Sequence, residues 1–249
     1  MKERTGKQKL MYRYASPTQF LVLLRRVLPW CTGVTVVLFA LGLYGALLAA
    51  PPDYRQGEMV RIMYVHVPAA WMAMLIYTVI ALASATALIW RHPLADLAGM
   101  TAAPIGACFT FLAMITGSLW GKPMWGAWWV WDARLTSVFL LFLLYLGYIG
   151  IWRVIEHPGR AARVAAIMGL VGFINVPVIK FSVSWWNSLH QPASVLRIGG
   201  PAIAPSMLWP LVIMGLAYFT LYITLHLIAM HTGIVNRRIR MLELRKIGE

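Results

Sequence analysis

Two histidines and a dense run of tryptophans carry most of the chemistry this chain can offer. The segment from Trp120 to Trp131, WGKPMWGAWWVW, puts five of the twelve tryptophans within twelve residues and closes on Asp132 and Arg134. An indole offers a broad π-face and one N–H donor, so this density suits a shelf for a flat aromatic ligand. A membrane-interface belt of tryptophans is the plainer alternative. His66 stands just before Pro68, a first-turn proline that opens an apolar run, and His190 follows Trp185, Trp186 and Asn187. Two imidazoles on either side of an aromatic shelf can supply both axial ligands of a haem iron, although each also reads as a hydrogen-bonded interface histidine. Zinc is less well served, since only Asp53, Glu58 and Asp132 stand nearby as further ligands. Cys31 and Cys108 are 77 residues apart and form no CxxC pair. Walker, nucleophile-elbow and HExxH motifs are absent, so the chain has no evident engine for hydrolysis and is expected not to be an enzyme.

The elements that must hold these residues are membrane helices. With 60% hydrophobic and 12% charged residues, the chain is too apolar for a soluble domain. Six long runs are free of charge, and about 20 residues suffice to cross the hydrocarbon core. The expected fold is an all-α polytopic membrane protein, one domain over residues 1–249. Its six transmembrane helices are expected at 29–50, 67–90, 97–119, 135–152, 164–185 and 206–230, with a tryptophan loop at 119–134 between the third and fourth. The apolar run after Arg26 exceeds a signal-peptide core, so the first span is expected to stay as an anchor, with a short interfacial helix over Pro17–Leu28 before it. Lys180 falls near the end of the fifth span, where its ammonium can snorkel.

Positive charge orients the bundle. Sixteen of the 22 Lys and Arg fall on one side of these spans, while Arg55, Arg61, Lys122, Arg134, Lys180 and Arg197 fall on the other. The positive-inside rule then puts both termini in the cytoplasm and the tryptophan loop outside. The net charge of +14 is mostly this signal, and the tail through Arg237, Arg238 and Arg240 reads as a lipid-facing stop, with no nucleic-acid partner. Nine of the twelve tryptophans, the run plus Trp71, Trp185, Trp186 and Trp209, gather at or near the outer edge, against Trp30, Trp90 and Trp152 within. A belt decorates both interfaces, so the run reads better as a shelf. His66 and His190 are the only outer histidines, in the loops before and after it.

Outer charge fits a dianionic ligand. The outer cations exceed Asp53, Glu58 and Asp132 by three. Arg134 and Lys122 are the candidates for gripping haem propionates, or else interface anchors, with Arg134 also readable as a partner of Asp132. Asp132 reads best as a structural acceptor of loop N–H bonds.

The stretch from Gly117 to Ser137, GSLWGKPMWGAWWVWDARLTS, closely resembles the WWD signature of the haem-handling membrane proteins of cytochrome c maturation. YVHVPAAW at Tyr64–Trp71, SWWNSLHQ at Ser184–Gln191 and the short six-span form are similar to its haem exporter C branch, over nearly the whole chain. That resemblance implies a bacterial inner-membrane protein that holds haem b as transient cargo. The cargo would lie between His66 and His190 as axial ligands, on a platform of Trp120, Trp125, Trp128, Trp129, Trp131 and Asp132. It further implies delivery to a periplasmic haem chaperone, CcmE, and assembly with an ABC transporter (CcmA, CcmB) and a small one-span protein, CcmD. The sequence departs from the family's pattern at Lys180 and Ser184, so no role is carried to either.

Two other functions remain open to the residues. A haem-translocating subunit needs a polar route, for which Asn175, Lys180, Thr116 and His226 are the few candidates. A scaffold subunit of an ABC complex needs a packing surface, and Gly117 and Gly121 form a GxxxG pair suited to one.

Overall fold

The computed structural model describes residues 16–92, 94–191, 194–195 and 197–247. Lys2, Arg4, Lys7, Lys9 and Arg13, counted above among the inner charges, lie outside them. Among the described residues all regular structure is helical, apart from an isolated bridge between Asp53 and Gly57. The helices are α1 (Pro17–Tyr44), α2 (Met63–Trp90), α3 (Ala95–Trp125), α4 (Ala133–Val154), α5 (Pro158–Phe173), α6 (Asn175–Trp185) and α7 (Pro205–Ile247). Together they provide six stretches long and apolar enough to cross a membrane, with α5 and α6 sharing one. The chain is a multi-pass membrane protein.

The interfacial helix expected before the first span is instead the start of α1. Ser16 caps it by accepting the Gln19 N–H at 3.3 Å, and Pro17 sits in the first turn, where a missing N–H is harmless. Nothing breaks the helix before a π-helical turn at Gly45–Ala49. The last helix runs 43 residues, well past the expected end at residue 230. At about 1.5 Å per residue that exceeds twice the hydrocarbon thickness, so its basic end projects beyond the membrane. The fifth span is divided at Ile174, leaving α6 only 11 residues long. Asn175, at the break, donates from Nδ2 to the Ser137 carbonyl at 2.8 Å, which ties α6 to α4.

Small residues set the centre of the bundle. Ala69, Ala73, Ala102, Ala103 and Ala107 are buried between α2 and α3, letting two helices meet closely where lipid supplies no hydrophobic drive. Tyr145 of α4 fills the remaining space, donating its hydroxyl to the Ala73 carbonyl at 2.7 Å and meeting Tyr77 edge-on at 5.1 Å. At one end of the bundle, Arg237 pairs with Asp96 at 2.9 Å and Arg238 donates to Thr18 at 2.9 Å. These bonds tie the start of α1, the start of α3 and the end of α7 together.

Candidate functional site

The candidate residues gather at the opposite end. His66, expected in a loop, lies inside α2. A 3₁₀ turn at Glu58–Ile62 starts the helix early, and Pro68 sits one turn in, not at the opening. That turn is fixed by an Arg61–Glu58 ion pair and by Arg61 donating to the Ala46 carbonyl at 2.6 Å, so this outer cation is already engaged. The helix aims the His66 ring at α3. Its Nδ1 donates to the Ala113 carbonyl at 3.0 Å, with the Thr116 hydroxyl 3.2 Å away. A carbonyl can only accept, so Nδ1 carries the proton and Nε2 keeps a free lone pair, the tautomer a metal-ligating histidine needs.

Gly117 makes this approach possible. A Cβ there would lie 2.9 Å from His66 Cε1, inside van der Waals contact. Gly117 of the GxxxG pair thus packs within the chain, leaving room for the imidazole of α2.

His190 completes the pair from the loop after α6. Its ring centroid lies 6.5 Å from that of His66, with the planes at 80°. Two imidazoles on one iron stand about 6 Å apart, from two metal–nitrogen bonds of about 2 Å and two ring half-widths of about 1 Å. The spacing fits, and His190 Nδ1 is buried without a hydrogen-bond partner. Such a nitrogen costs on the order of 1–3 kcal/mol, a cost that a hydrogen bond from the ring to a bound ligand's surroundings would offset.

Burial, then the nearby Arg134 and His66, lower the His190 pKa to about 4, with Asp132 opposing weakly. Falling pH therefore works against the fold between about 6.5, where the unfolded imidazole protonates, and about 4. In ligand-free protein, the ¹⁵N shifts of labelled His190 should report a neutral ring from pH 8 to about 5 and protonation only toward about 4. A midpoint near 6.5 would mean a solvated ring.

The five tryptophans do not form one continuous shelf. α3 continues to Trp125, so the loop is Gly126 to Asp132, shorter than the expected 119–134. The helix stops at Gly126, whose φ of 76° suits glycine and whose N–H returns to the Lys122 carbonyl at 3.0 Å. Trp120 and Trp125 thus come from the last turns of α3 and flank the histidines. Trp120 lies 5.8 Å from His66, and Trp125 lies 5.0 Å from His190. Gln56 fixes Trp120 by accepting its indole N–H at 2.8 Å, a partner the sequence gave no reason to single out.

The other three turn elsewhere. Trp129 packs edge-on against Trp131 and Phe139, at 5.6 and 6.3 Å. Trp128 and Trp129 close an apolar groove of about 280 Å³ over Phe111, Met114, Ile115, Ser118 and Leu119. Those α3 positions lie on the face away from Ala113 and Gly117, hence away from His66.

The charged candidates are also spoken for in part. Lys122 donates to the Gly126 carbonyl at 3.0 Å and sits 5.9 Å from the Trp128 ring centre. Arg134 is not an ion-pair partner of Asp132. It reaches the middle of α6, donating to Ser182 at 3.3 Å and to the Ile179 and Lys180 carbonyls at 3.4 Å. Asp132 caps α4, accepting the Leu135 N–H at 2.7 Å, and its second oxygen accepts the Ser188 hydroxyl. Three of the four transport-route candidates are locally satisfied, Thr116 by Leu112 at 2.7 Å, Asn175 by Ser137, and His226 by Ala98 at 3.0 Å and the Tyr222 hydroxyl, while Lys180 is exposed.

Six apolar spans with two histidines flanked by tryptophans at one end define a class of polytopic helical membrane protein. Residues 10–245 match the family described as CcmC, heme exporter protein C. The chain is 58% identical over 230 residues to a heme exporter protein C of Bradyrhizobium diazoefficiens, covering 92% of this chain and 87% of that one. It is 42% identical over 203 residues to that of Escherichia coli K12, 82% of each. A ccmC-like mitochondrial protein of cytochrome c biosynthesis from Marchantia polymorpha is 50% identical over 184 residues, 74% of this chain and 78% of its own. The chain belongs to the heme exporter protein C family.

Proposed function

We propose that this protein holds haem b at the outer face of the bacterial inner membrane, between His66 and His190, and delivers it to a periplasmic haem chaperone of the CcmE kind during c-type cytochrome maturation. It works as a haem-handling subunit, with ATP hydrolysis left to an ABC partner such as CcmA with CcmB, and with CcmD as a small associate. Family membership supports the haem cargo and the multi-subunit setting. The excess of Lys and Arg on the side of the termini supports the orientation.

The observation that carries the site is the 6.5 Å spacing of two imidazoles, one locked in the ligating tautomer and one buried with an unpaired nitrogen. Haem supplies an iron that takes two axial nitrogens and a hydrophobic plane that Trp120 and Trp125 can flank. Arg134 adds positive charge near both rings, which favours a ligand bearing carboxylates. The test is the visible spectrum and haem content of the full chain purified from haem-replete cells. A low-spin two-histidine signature, lost when a haem-free chaperone is added and recovered on the chaperone, is the expected result. Protein without haem overturns this reading in favour of a scaffold subunit; haem flux by the purified chain in liposomes would favour a translocating one.

A further inference from the structure

We infer that the Trp131–Arg134 end of the tryptophan run is a clasp that positions the second histidine through Ser188, and that Ser188 is a positioning residue of the site. The inference rests on the reading of His190 as an iron ligand.

Three observations carry it. First, both carboxylate oxygens of Asp132 are engaged by protein. One carboxylate oxygen caps α4 at Leu135, and the other accepts the hydroxyl proton of Ser188, 56 residues away. Second, that same Ser188 oxygen accepts the backbone N–H of His190 at 3.1 Å. The hydroxyl therefore donates on one side and accepts on the other, making a continuous link from Asp132 to the main chain of the ligand. Third, Arg134 crosses to α6 itself, donating to the Ile179 and Lys180 carbonyls in the middle of that helix. One charged residue of the motif thus holds the helix that leads to His190, and the other holds the segment that bears it.

That segment has little else to hold it. It follows an 11-residue helix beyond the break at Ile174; apart from the Trp186 N–H bonding back to the Ser182 carbonyl at the helix end, its remaining described backbone bonds lie beyond the histidine, from Ala202 to Ser194 and from Gly200 to Arg197. A ligand must be held within about 0.5 Å to bond a metal well, and a loop of this kind does not hold it unaided.

The test uses the full chain loaded with haem. Ser188→Ala should convert the low-spin two-histidine spectrum largely to a high-spin, single-histidine one, with haem retention falling about tenfold. Free imidazole should restore the low-spin bands, and Ser188→Thr should keep them, because the hydroxyl remains. Asp132→Asn, which preserves the helix cap while halving the acceptor oxygens, should give the same conversion more weakly. The thermal midpoint of ligand-free Ser188→Ala should match the parent, which separates positioning from folding. An unchanged spectrum in Ser188→Ala, with His190→Ala losing its low-spin bands, overturns the clasp. An unchanged spectrum in His190→Ala itself overturns the ligand reading and the clasp with it.

Discussion

Replacing His66 and His190 together by alanine should abolish the low-spin spectrum and take haem occupancy to background. In the proposed site each imidazole supplies one iron–nitrogen bond; the ring centroids lie 6.5 Å apart with the planes at 80°, and no third histidine stands at this end of the bundle among the described residues. Each single variant should leave a five-coordinate, high-spin haem held at least about tenfold more weakly, equivalent to about 1.4 kcal/mol. The double variant should fold, since neither ring is a core residue of the bundle. Optical spectra and haem content of the three variants give the answer, and a low-spin spectrum surviving in the double variant would sink the assignment.

The second large effect is expected at Gly117. An added methyl lies 2.9 Å from His66 Cε1 and 3.4 Å from Nδ1, so Gly117→Ala must push the ring off the Ala113 carbonyl. Overpacking of this kind costs about 1–3 kcal/mol, which predicts roughly ten- to hundredfold weaker haem retention. Alanine outranks glycine by about 1 kcal/mol in a helix, which offsets part of that cost, so the thermal midpoint should change little. Haem retention that falls far more than thermal stability is a combination that generic damage to the fold does not give. If Gly117→Ala binds haem as the parent does, the close approach has no role in placing His66.

Where the sequence failed to foresee the site, the reasons are physical. The six spans were readable because charge-free runs of sufficient length leave few alternatives in lipid. The histidine pair could be singled out because only His66 and His190 fall at that end of the spans. The ends of elements were harder. Pro123 lies within α3, where a proline so near a helix end disrupts little, and the stop is set by Gly126 with Lys122 behind it. Pro68, expected to open its helix, lies inside α2. Asp132 and Arg134 looked like a local pair because they are two residues apart. Each instead has partners 45 or more residues away, which no local pattern encodes. Gly117 was visible only as a small residue; what fills the space beside it is a property of the folded bundle.

The division of the fifth span at Ile174 makes the two jaws mechanically unequal. His66 rides on a 28-residue helix packed through the bundle, whereas His190 hangs beyond an 11-residue one. Under any pull from outside, the softer support yields first, so hand-over in the proposed site has a built-in order. The His190 bond would open first, with the cargo still tethered through His66. Transfer would then be a ligand exchange at the iron, without release of the cargo into water.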